Sequence, residues 1–385
     1  MITLSSPYLN GNEATYISDC LASEWISTSG SYVARFEESV AEFVGEKTAV
    51  AMVNGTAVLH ISLLLAGVQS GDEVIVPTLT FIAPINAVHY VGAEPVFMDC
   101  DDYLNMDVEK LRHFCQTECR VCDYALYNKT SGRRIRAMIP VHVFGAMCRM
   151  DELMDIAQEY HLTVVEDATE ALGSVITDGR SRGCHAGTVG DFGCYSFNGN
   201  KIITTGGGGM LVAKDAADTE HARYLSTQAK DDGLFYTHNE IGYNYRLPAL
   251  LAAVGVAQME QLDDIIKRKR LRYMQYVGAI KDIDGLSMMS FPDYCAPNYW
   301  FYSLYVDAER YGMSRDELMQ VFSGHNIQTR PVWMLNHMQK PYRGCQACMI
   351  DKAVDYQQNI LNVPCSAGLT DDEFERVVDV LSGKR

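Results

Sequence analysis

The chain has 385 residues, of which 48% are hydrophobic and 21% charged, enough apolar material for a packed core and too much for wholesale disorder. Lys+Arg 32 against Asp+Glu 49 gives a net charge of -17, so the general positive field of a nucleic-acid or anionic-membrane binder is missing. The longest nearly apolar run, Leu247 to Ala257, is interrupted by Pro248 and Gly255 and falls far short of a bilayer span.

Nothing near Met1 resembles a signal peptide, so a cytoplasmic protein is expected, and its 12 cysteines are expected to be reduced thiols. The length predicts two domains, or one large α/β unit with an appendage. In chain order, residues 32 to 44 place Val33, Phe36, Val40 and Phe43 on one helical face, and Gly45 ends the pattern. AVAMV (49 to 53) reads as a buried strand, NGT breaks it, and a helix is predicted over Ala57 to Ala66. EVIVP (73 to 77) is a second strand that feeds a second candidate helix through Thr78, Leu79, Thr80 and Phe81. EPVFMD (94 to 99) is a third strand. Residues 100 to 134 are weakly patterned, DELMDIAQEY is helical, and LTVVED (162 to 167) is a strand ending in two acids. Apolar strands separated by helices predict a mostly parallel sheet covered on both faces.

Residues 189 to 213 break that rhythm: short strands VGDFGCYSF and GMLVA flank NGNKIITTGGGG. The run Gly206 to Gly209 makes a helix implausible and favours a tight turn or hairpin under a ligand. A long helical stretch from about Leu247 leads to a strand at YWFYSLYV (299 to 306), which places the boundary between a large domain (1 to 255) and a small C-terminal domain (256 to 385).

Three positions carry candidate chemistry. Asn54-Gly55-Thr56 lies between strand and helix, where free N–H groups and the helix dipole attract a phosphate; Thr56 either adds a hydroxyl or caps the helix. It is neither a dinucleotide fingerprint nor a P-loop. Asp167 sits at the C-terminal edge of its strand, where functional groups of open α/β sheets collect, though a solvated turn carboxylate has the same pattern. Lys201, beside polar residues and glycines, reads as an amine nucleophile or as a surface charge.

Jointly, these segments, with WISTSG, GAEPVFMD, IPVHVFG, VVEDATEALGS and IGYNYRLPALLAAVG, resemble the DegT/DnrJ/EryC1/StrS sugar aminotransferases. The resemblance implies a fold-type I pyridoxal-phosphate enzyme: a large, mixed, mostly parallel sheet domain with a smaller C-terminal α+β domain. It assigns Lys201 to the internal aldimine and Asp167 to the pyridine nitrogen. Gly55, Thr56 and Ser196 would hold the phosphate, Phe81 would pack on the ring, and Glu170 would lie near the ring oxygen where relatives often have glutamine. Asn244 would reach a neighbouring subunit's phosphate, which implies a homodimer. Lys201 stands where a related dehydratase branch carries histidine, which favours transamination.

The implied donor is L-glutamate, yielding 2-oxoglutarate. The implied acceptor is a nucleotide-linked 4-keto-6-deoxy sugar, aminated at C4. WISTSG, the SFNGNKIITTGGGG segment and IQTRPVWML look most like the branch acting on UDP-4-keto-6-deoxy-N-acetylhexosamines, precursors of legionaminic acid or bacillosamine. Trp25, Ser29, Arg330 and Trp333 are the candidate substrate contacts, the two tryptophans having packing as their plain alternative. Ser31 stands where many relatives carry lysine, so no basic contact is carried over there.

Two rival readings stand beside this one. Cys115, Cys119 and Cys122 have the C-x3-C-x2-C spacing that holds a [4Fe-4S] cluster in radical enzymes. A non-enzymatic, cofactor-binding regulator is the other. Cys345 and Cys348 form C-x2-C without a matching second pair, although Cys365 and His337 could complete a site after folding. No metal is expected, and His142 and His185 read as structural or pocket residues.

Overall fold

The computed structural model describes residues 1–383, so residues 384 and 385 of the expected C-terminal domain lie outside the described residues. Helix α1 (Glu13–Ala22) and α2 (Ser31–Val44) precede strand β1 (Ala49–Met52). Val33, Phe36 and Val40 face the core from α2, and Gly45 ends it at φ 79°. Next come α3 (Gly55–Leu65), β2 (Glu73–Pro77), α4 (Ala83–Tyr90) and β3 (Glu94–Met98). The second expected helix is α4, which β2 reaches through Thr78 to Phe81. Thr78 to Phe81 are a turn whose carbonyls at Thr78 and Thr80 accept the Asn336 side-chain amide, and α4 starts after it with Pro84 in its first turn.

The weakly patterned stretch is ordered, with α5 (Val108–Thr117), β4 (Cys119–Cys122), β5 (Ala125–Asn128) and β6 (Arg134–Met138). Then follow α6 (Met150–Tyr160), β7 (Thr163–Asp167), the two-residue β8 (Val175–Ile176), β9 (Phe192–Ser196), β10 (Gly209–Ala213) and α7 (Ala216–Ser226). The expected long helix is two helices, α8 (Ala249–Met259) and α9 (Leu262–Ile280).

The large sheet runs β1-β10-β9-β7-β6-β2-β3 and ends on β15 (Ala347–Cys348); the β4–β5 hairpin branches from β6. From β9 across to β15 the ladders are parallel, while β10 is antiparallel to both β9 and β1. Strands β1, β2, β7, β9 and β10 are buried throughout or nearly so, as expected when helices cover both faces. The smaller sheet has the order β11 (Leu286–Met288), β13 (Tyr302–Val306), β16 (Ile360–Val363) and β14 (Arg330–Pro331). This large mixed sheet with a smaller α+β unit is the expected fold class. We propose the domain boundary near residue 255, because every strand of the small sheet lies beyond it. Among the described residues no helix is long and apolar enough to cross a membrane.

The glycine run divides its tasks. Gly206 takes φ 82°, and a Cβ on Gly209 would lie 2.6 Å from the backbone of Asn54, so β10 can pass under the start of α3 only without a side chain there.

Candidate active site

The start of α3 meets the C-terminal ends of β7 and β9. A Cβ on Gly55 would stand 2.9 Å from the Ser196 Cβ and 3.1 Å from the Thr169 methyl, so the three segments form a cradle that any side chain would fill. Asn54 caps the helix: its Oδ1 accepts the Ala57 N–H at 2.8 Å and its carbonyl accepts the Val58 N–H at 3.3 Å. The capping alternative for Thr56 therefore falls. The N–H groups of Gly55 and Thr56 have no acceptor within the chain among the described residues, which leaves a helix N-terminus free for an anion.

Asp167 ends β7 and is 2% exposed, so it is not a solvated turn carboxylate. Its Oδ1 accepts the Thr169 N–H at 3.1 Å. Burial pushes its carboxyl up, against the opposing pull of the Thr169 bonds and of the Lys201 charge.

Lys201 lies in the connection between β9 and β10, and its side chain is only 12% exposed, which removes the surface-charge alternative. The ammonium stands 4.3 Å from the Trp300 ring centroid, and the Trp300 Nε1–H donates to the Asn200 carbonyl at 2.7 Å. Trp300 thus fixes both the face the amine rests on and the backbone that carries it. The distance from Lys201 Nζ to Glu170 Oε1 is 3.6 Å, longer than a hydrogen bond. Glu170 is fully enclosed, its Oε2 accepting the Phe144 N–H at 2.9 Å. Burial outweighs the lysine's attraction and pushes the Glu170 carboxyl up to about 7.

Behind Asp167, His142 and Glu166 form a buried pair at 2.8 Å. His142 Nδ1 accepts the Cys148 N–H at 3.1 Å, so Nε2 is the donor to Glu166. Burial alone would raise the Glu166 carboxyl, but the His142 bond and the Gly190 and Gly187 N–H groups hold it below its ordinary value. The His142 N–H also donates to the Asp167 carbonyl at 3.1 Å, which pins the end of β7. Sequence reasoning missed Trp300, Phe144 and Thr169 as site residues. Thr169 lies inside VVEDATEALGS and Phe144 inside IPVHVFG, whereas Trp300 stands only in the expected strand 299 to 306.

The other expected contacts are placed as follows. Phe81 is 53% exposed. Asn244 is exposed and bridges Thr227, while its neighbours Tyr243 and Tyr245 stack at 5.2 Å. Trp25 and Ser29 line a cavity of about 600 Å³ with Asp19, Tyr32 and Arg35. Arg330 borders a different hollow beside Met1 and Met319, and Trp333 packs 4.7 Å from Phe144.

The iron–sulfur alternative does not survive folding. Cys115 lies on α5 and Cys119 and Cys122 at opposite ends of β4; Cys122 is exposed while the other two are buried. Among the described residues the one group of three His, Cys, Asp or Glu side chains with ligand atoms mutually within 4.8 Å is His89, Glu94 and Cys345. Cys365 and His337 do not complete a site with Cys348. The Cys365 thiol donates to the Leu4 carbonyl, and His337 Nδ1 pairs with the Thr78 hydroxyl at 2.7 Å.

A family model for the DegT/DnrJ/EryC1/StrS aminotransferases matches residues 7–382. EpsN of Bacillus subtilis, named as a pyridoxal phosphate-dependent aminotransferase, is 38% identical over 387 residues, covering 99% of this chain and 95% of that protein. The GDP-perosamine synthase of Caulobacter vibrioides is 34% identical over 392 residues, covering 99% and 97%. Among solved structures, the aminotransferase TlmJ from Streptoalloteichus hindustanus superposes with a TM-score of 0.88 at 25% identity, covering 100% of this chain and 98% of that one. Pyridoxal phosphate fits the residues present: an anion cradle that a Cβ would fill, a buried carboxyl at the sheet edge, and a screened primary amine beside it. The match runs through both sheets and every segment of the chamber, so the chain belongs to the DegT/DnrJ/EryC1/StrS aminotransferase family, with pyridoxal phosphate as its cofactor.

Proposed function

We propose that the enzyme moves an amino group from L-glutamate to C4 of a nucleotide-linked 4-keto-6-deoxy sugar, with UDP-4-keto-6-deoxy-N-acetylglucosamine as acceptor and 2-oxoglutarate as by-product. The observation that carries the chemistry is the amine of Lys201, screened from water against Trp300 and held in one chamber with Asp167 and Glu170. Bound pyridoxal phosphate supplies a carbonyl carbon for the migrating nitrogen and a ring that takes up electron density when the substrate C–H bond ionises.

In this reading the Gly55 and Thr56 N–H groups and the Ser196 hydroxyl hold the phosphate. Phe81 covers a ring face. Asp167 keeps a proton at the ring nitrogen, a task that suits a carboxyl shielded from water. With the cofactor bound, Lys201 would hold it through its amine and, once released, would carry the proton from the donor carbon and back in the second half-reaction. Glu170 lies beside the ring oxygen. Trp25, Ser29, Arg330 and Trp333 contact the nucleotide sugar. Asn244, exposed in the single chain, completes the neighbour's phosphate site, so we infer a homodimer.

The GDP-perosamine synthase at 34% identity favours one rival acceptor, a GDP-linked sugar. Purified holoenzyme is to be given L-glutamate and, separately, the UDP- and GDP-linked 4-keto-6-deoxy sugars, with product mass and 2-oxoglutarate measured. Amination of the UDP sugar at the higher kcat/KM is expected. Preference for the GDP sugar would replace the acceptor while keeping the transamination, and no 2-oxoglutarate with any acceptor would overturn both.

A further inference from the structure

Away from the cofactor chamber, three ligand-bearing side chains from separate parts of the chain meet at the outer edge of the large sheet. His89 lies in the last turn of α4, Glu94 opens β3, and Cys345 precedes β15, which pairs with β3. The Glu94 Oε2 is 3.9 Å from His89 Nε2 and accepts from the Cys345 thiol at 3.4 Å, and all three ligand atoms lie within 4.8 Å of one another. A tetrahedron with bonds of roughly 2.0–2.3 Å to zinc has edges of about 3.3–3.8 Å, so two of the three edges are already nearly the right length.

The supports are ordered. The His89 ring stacks on Tyr342 at 5.2 Å and 13°, and the Tyr342 hydroxyl bonds Asn86 one turn earlier on α4. The Glu94 N–H donates to the Asp72 carbonyl at 2.9 Å, and the Phe97 N–H donates to the Gln346 carbonyl at 2.9 Å, next to Cys345. Arg133 Nη1 stands 3.8 Å from the other carboxylate oxygen, Glu94 Oε1, leaving Oε2 turned toward the histidine and the thiol. The group is half-buried, which gives an ion a way in.

We propose that His89 Nε2, Glu94 Oε2 and Cys345 Sγ form a binding site for a borderline divalent cation of the zinc class, with the fourth position open to water. Imidazole and thiolate select such a cation over magnesium or calcium. Thiolate and carboxylate together neutralise its two positive charges. The thiol proton, which Cys345 now donates in a hydrogen bond to Glu94, leaves to solvent as the sulfur–metal bond forms, so no oxidant or reductant takes part. An occupied site clips the segment that carries Tyr342 and β15 onto α4 and β3, joining the C-terminal part of the chain to the edge of the cofactor-bearing sheet.

The test uses holoenzyme stripped of metal with a chelator and dialysed against zinc, followed by elemental analysis and zinc X-ray absorption. Wild type is expected to retain one more zinc per chain than Cys345→Ser or His89→Ala. One sulfur at about 2.3 Å should appear among nitrogen and oxygen neighbours. Each single change is expected to weaken binding at least about tenfold. Cys122→Ser, which alters an exposed thiol elsewhere, should leave the uptake intact. Equal uptake by wild type and Cys345→Ser, or bound zinc without a sulfur neighbour, would overturn the proposal.

Discussion

Replacing Glu170 by glutamine removes an ionisable group at the centre of the chamber and leaves its shape nearly unchanged. The folded protein holds this carboxyl at about 7 against an ordinary value of 4.5, because burial penalises the anion more than Lys201 at 3.6 Å supports it. The folded value is the higher one, so between the two values the unfolded chain has lost its proton while the folded chain keeps it. Stability from this group is therefore full below about pH 4.5 and is lost as pH rises through about 7. About 2.5 pH units at 1.36 kcal/mol each amount to about 3 kcal/mol, an order-of-magnitude figure. For a chain of 385 residues that corresponds to a melting shift of roughly 4 °C. The assay is the melting temperature of cofactor-free wild type and Glu170→Gln across about pH 5 to 8. The variant should gain on wild type by most of that shift as pH rises, and the wild-type acid carbonyl stretch should fade from the infrared spectrum over the same range. Parallel melting curves would refute the argument that burial dominates at Glu170.

Lys201→Ala should abolish both half-reactions in stopped-flow absorbance while cofactor still binds through the cradle; general acid–base help alone is worth about 10²–10⁴-fold, and wild-type rates would sink the assigned role. Gly55→Ala should fold but bind pyridoxal phosphate at least about tenfold more weakly, or about 1.4 kcal/mol, because its methyl would lie 2.9 Å from the Ser196 Cβ. Unchanged affinity by fluorescence titration would remove Gly55 from the phosphate site. Chains carrying Lys201→Ala and chains carrying Asn244→Ala are each expected to be inactive or weak. When they are co-expressed, every hybrid dimer regains one intact site if Asn244 serves the neighbour. Activity no higher than the average of the two parents would assign Asn244 to its own chain.

What the sequence made legible depended on how local the cause was. Buried strand runs at 49 to 53, 73 to 77 and 162 to 167 announce themselves by continuous apolar residues, and a helix N-terminus by Asn-Gly-Thr after such a run. The position of Asp167 at a strand end follows from the same pattern. Long-range packing hid the rest. Trp300 reaches Lys201 across about a hundred residues, and its hydrogen bond to Asn200 has no signature at either end. Phe144 holds Glu170 from a backbone with φ 54°, a conformation that its sequence does not advertise. The partner that fixes the turn at Thr78 to Phe81 is likewise hidden, because it is Asn336, more than 250 residues away.

The cysteines make the same point from the other direction. Their spacing at 115, 119 and 122 suggested a shared ligand, yet Cys122 is exposed at the far end of β4 while Cys115 and Cys119 are buried, so the three do not gather. Cys345 belongs to a pair by spacing, but Cys348 is drawn inward as β15 joins the sheet, while Cys345 is left facing Glu94. Spacing in sequence predicts a metal site when one turn or one helix carries the ligands. Here the ligands converge because a parallel strand returns to the sheet edge from the far end of the chain. The fold, rather than the C-x2-C motif, therefore decides which thiol is available to a metal ion.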